Sequence, residues 1–151
     1  MIAGTILRSK EDVNRPPGSP KAKFRTKLKQ ALGIAREQGT LSLVLDVHSF
    51  PPKDKEWQPY DLAILVLIDH LPSVRYALQL LQWLTHRRWE FAIYEADPIN
   101  YVLNQAQKND VSALLLEFNE GLNQKDTWSI SRGITSWLNN IELKVEYTET
   151  G

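Results

Sequence analysis

Apolar residues follow two rhythms along the chain, helical spacing and unbroken runs of strand length, and the two alternate. From Lys21 to Gln38, Phe24, Leu28, Ala31, Leu32 and Ala35 recur every three or four residues among Lys and Arg, and Gly39 follows as a stop signal. An amphipathic helix with one buried face is predicted there. Leu41 to Val47 is a continuous apolar run, the pattern of a strand covered on both faces. After a polar, Pro-containing loop from Phe50 to Tyr60, a second such run extends from Leu62 to Ile68. Val74, Ala77, Leu78, Leu81 and Leu84 then mark a helix after Pro72 that ends at His86-Arg87-Arg88. Phe91 to Tyr94 predicts a third strand, Ile99 to Lys108 a helix, Val111 to Phe118 a fourth strand and Trp128 to Ile141 a last helix. The tail from Glu142 to Tyr147 reads as an edge strand or a frayed end.

Strands alternating with helices imply right-handed crossovers. The expected fold is α/β, a three-layer helix/sheet/helix arrangement with a mainly parallel sheet. Residues 14–20, Asn-Arg-Pro-Pro-Gly-Ser-Pro, form a loop before the first helix, because the prolines cannot continue a helix or a central strand.

Composition narrows the chemistry. The 151 residues suit one domain spanning 1–151, and 42% hydrophobic residues fill one sizeable core. Eighteen Lys and Arg balance eighteen Asp and Glu, so no global basic field draws in nucleic acid or an anionic membrane. Lys21, Lys23, Arg25, Lys27 and Lys29 cluster, but a charged helical face is ordinarily a solvated one. With no cysteine, thiol nucleophiles, disulfides and thiolate zinc sites are excluded. No apolar run approaches membrane-spanning length and no signal peptide is visible, which predicts a soluble, cytoplasmic protein.

In open parallel sheets, ligands bind beyond the carboxyl ends of the strands. On the expected topology that edge receives Asp46, His48 and Ser49 from the first strand, Asp69 and His70 from the second, and Glu117, Asn119 and Glu120 from the last. His48 fits either a core histidine satisfied by a backbone carbonyl or a ligand or catalytic group. Glu117 ends a buried run, where a carboxylate costs several kcal/mol unless paired or solvated, so a cleft position is favoured over a core one. Arg15 is either its ion-pair partner, a surface cation or a ligand-binding group. His86, in a basic helix end, is read as complementing the helix dipole. The five tryptophans have no regular spacing and are read mostly as packing groups.

Three segments, Asp12-Val13-Asn14-Arg15, then Leu43 to Pro51 with its Asp-Val-His-Ser core, then Ala113 to Asn119 ending Leu-Glu-Phe-Asn, are similar in order to N-formylglutamate amidohydrolases and more distantly to zinc carboxypeptidases. The resemblance covers roughly residues 5–122. It implies that Asn14 and Arg15 grip a substrate carboxylate, that His48 holds zinc, and that Glu117 is the general base that activates water. Family members bring two further zinc ligands, a histidine and an acidic residue, from a unit preceding the Asn-Arg motif. Here thirteen residues precede Asn14 and none is histidine, so the implied zinc site has an incomplete ligand set. Asp46, Asp69 and His70 are the candidate substitutes, and Glu11 or Asp12 could also approach. Asp46 and His48 share a strand face.

Three functions are compatible with this pattern. The first is a zinc-dependent amidohydrolase acting on an N-acyl amino acid or similar acidic amide. The second is a catalytically inactive relative that binds a small acidic ligand or a peptide C-terminus. The third is a structural protein that self-associates as a homo-oligomer through an open sheet edge and exposed Trp57 and Trp89.

Overall fold

The computed structural model describes residues 23–39, 43–52 and 59–149. The elements follow the order α1 (Lys23–Gln38), β1 (Leu43–Phe50), β2 (Leu62–Val66), α2 (Leu71–Leu84), β3 (Phe91–Glu95), α3 (Tyr101–Lys108), β4 (Ser112–Asn119) and α4 (Gln124–Glu149). Each helix ends where local chemistry permits. Gly39 adopts φ +63 just past α1, the left-handed conformation that closes a helix without a Cβ clash. Pro72 occupies the first turn of α2, where its missing N–H costs nothing. Asn100 caps α3 by accepting the Leu103 N–H at 3.0 Å, and Asn123 accepts the Asp126 N–H at 2.8 Å ahead of α4. The segment from Glu142 onward continues α4 to Glu149, so it is neither an edge strand nor a frayed end. No described helix is long and apolar enough to cross a membrane.

The four strands form one sheet in the order β1-β4-β2-β3. β1 and β4 are parallel, β2 and β3 are parallel, and β4 runs antiparallel to β2. The sheet is therefore mixed, not mainly parallel. Helix length explains the reversal. The 14 residues of α2 reach about 21 Å, enough to carry the chain back along the five-residue strand β2 and start β3 at the same end. The 8 residues of α3 reach only about 12 Å, so β4 starts near the end where β3 stops and runs back. β1 and β2 also run in opposite directions.

Alternation along the central strands feeds two apolar clusters. Leu62, Ile64, Val66, Leu114 and Leu116 pack with Ala77, Leu80 and Leu84 of α2 and Ile130, Ile134 and Trp137 of α4. Ala63, Leu65, Ala113 and Leu115 pack with Leu28 and Leu32 of α1 and Val102, Leu103 and Ala106 of α3. β2 is buried at every residue, as its unbroken apolar run predicts. β1 is not. It has one strand neighbour among the described residues, and Val47 is 61% exposed.

Leu114, fully buried on the central strand β4, is expected to lose about 3 kcal/mol on Leu114→Ala. Leu78→Ala, at an exposed position of α2, is expected to change stability by less than about 0.5 kcal/mol. Urea denaturation of both variants checks the pair.

Candidate functional site

Because the sheet is mixed, the polar strand ends divide between its two ends. At one end β1 and β4 finish together. Their register sets His48 beside Glu117 and Asp46 beside Leu115, with Ala63 of β2 on the far side of Glu117. Val44 joins the cluster of Ala113 and Leu115, so by the two-residue period Asp46, His48 and Glu117 continue that same face. Asp46 and His48 meet directly, with Oδ1 3.0 Å from Nε2 and both side chains largely buried. The second oxygen of Asp46, Oδ2, is buried and lacks a hydrogen-bond partner among the described residues. A shielded carboxylate oxygen in that state costs a few kcal/mol, so the site carries an unmet demand for a donor or a cation. Glu117 is half-buried.

The turn below these groups is held firmly. Asn119 donates from Nδ2 to the Tyr60 carbonyl at 3.0 Å and accepts the Gly121 N–H through Oδ1 at 2.8 Å. A Cβ at Gly121 would sit 3.0 Å from Asn119 Oδ1 and 3.1 Å from Pro52 Cβ, so a side chain there would force this turn apart. On the opposite face of β1, Ser49 Oγ donates to Glu120 Oε1 at 2.8 Å.

Asp69 and His70 lie at the other end of the sheet, because β2 runs against β1 and β4. They do not join His48 in a ligand set. His70 instead ties helix to sheet: its Nδ1 is 2.7 Å from Ser73 Oγ, which accepts the Ala113 N–H at 2.9 Å. Its Nε2 lies 4.0 Å from the exposed Asp110 carboxylate. Among the described residues, no group of three or more His, Asp or Glu side chains is placed to hold a metal ion. Asn14 and Arg15 lie outside the described residues, as do Glu11, Asp12 and Trp57.

Three further residues differ from expectation. Arg25 is buried, not solvated, with its guanidinium 4.2 Å from the centre of the Tyr101 ring. Its spacing to Leu28 and Leu32, three and seven residues, was the available signal. Trp89 is half-buried under the Arg88 guanidinium, and Trp128 is exposed at 61%, with Arg132 over its ring. Ser73 was invisible to motif reading because its partners are a helix-preceding histidine and a backbone N–H forty residues away.

These features define an α/β protein with a four-stranded mixed sheet and an Asp-His pair beside a glutamate at one sheet end. The crystal structure of gene product Atu2144 from Agrobacterium tumefaciens is similar to it, with a TM-score of 0.70 and 17% sequence identity over 89% of this chain and 67% of that one. At that identity the likeness shows the fold alone. The sequence matches no protein-family model and no curated protein.

Ser73→Ala leaves the Ala113 N–H and His70 Nδ1 without their buried partner and is expected to cost about 1–3 kcal/mol of stability by urea denaturation. A loss below about 0.5 kcal/mol contradicts the structural role given to His70.

Proposed function

We propose that the chain is an amidohydrolase-like protein of the N-formylglutamate amidohydrolase type, built as a trimmed three-layer zinc-carboxypeptidase-like fold. Its substrate is an N-acyl amino acid or a similar acidic amide, bound at the end of the sheet where β1 and β4 finish. One observation supports the reading: Asp46, His48 and Glu117 stand on one face of adjacent strands, and a buried Asp46 oxygen has no hydrogen-bond partner among the described residues.

Zinc is the cation this reading implies. Imidazole and carboxylate are its ordinary ligands, so His48 and Asp46 fit in kind, and two donors fall short of the three that a catalytic site uses. When bound, the ion would polarise the amide carbonyl and acidify water. The remaining work falls to the chain's own groups. Asp46 orients the His48 ring, Glu117 takes a proton from water as the water oxygen adds to the amide carbon and hands it to the departing amine nitrogen as the C–N bond breaks, and Arg15 with Asn14 grips the substrate carboxylate in a bidentate, charge-assisted pair.

The distance between His48 and the Asp69-His70 pair, at opposite ends of the sheet, favours a second reading. In it the chain has lost metal and chemistry and holds a small acidic ligand or a peptide C-terminus through Arg15.

Elemental analysis of chelator-free protein, paired with an assay of formate release from N-formylglutamate, separates the two. The enzyme reading expects about one zinc per chain, a fall in kcat of at least about 100-fold for Glu117→Gln with KM little changed, and a raised KM for Arg15→Ala. Metal-free protein without turnover overturns it. Ligand-induced thermal stabilisation lost in Arg15→Ala and kept in Glu117→Gln supports the second reading.

A further inference from the structure

We draw no further inference here: the strongest candidate, the outer edge of strand β1 with its exposed Val47, has no strand neighbour on that side among the described residues, and nothing in the structure shows what covers it.

Discussion

The central constraint is strand β4, which must be buried and must also end. Residues 112–116 are all buried, which commits β4 to the interior with a strand on each side and apolar clusters on both faces. Glu117 is the first position at which the strand emerges. A carboxylate there is affordable only because the adjoining strand β1 also turns polar, at Asp46 and His48, on the same face. The candidate site is thus the place where the buried strand β4 leaves the core beside the half-buried strand β1.

Most of the elements were legible in the residues, because period and run length are local properties. The helical stripe of Leu28 and Leu32, the unbroken run of β2 and the stop at Gly39 each stand within a residue or two of their expected positions. Strand direction was less legible. Alternating strands and helices suggested a parallel sheet, but a crossover keeps two strands parallel only if it is long enough to return the chain to its starting end. The short helix pattern before β4 and the polar, Pro-containing stretch from Phe50 to Tyr60 are the two signs of reversal in the sequence. They were outweighed by the general alternation.

Strand direction decides which polar residues share an end of the sheet. With every strand pointing one way, Asp69 and His70 join His48; with β2 reversed, they sit at the far end and serve the joint between α2 and β4. The Asp46-His48 contact was legible because it depends only on the two-residue period of one strand, whatever the direction of its neighbours. Arg25 is buried against the expectation from its charge. Charge alone marks a residue for solvent, whereas position on the helical stripe sends it inward, where an aromatic ring receives it.

The pairing of β1 with β4 joins Leu43 to Ser112, 69 positions apart, and is the longest-range connection in the sheet. Closing such a loop is entropically expensive and slow, and β1 docks at a sheet edge where Phe50 is its one buried residue. The segment from β2 to β4 can assemble its interior from nearer neighbours first, leaving β1 to dock late and to detach early. Any partial opening at that edge removes the imidazole and its carboxylate together while the glutamate stays in place, so the integrity of the polar cluster reports on whether the outermost strand is seated.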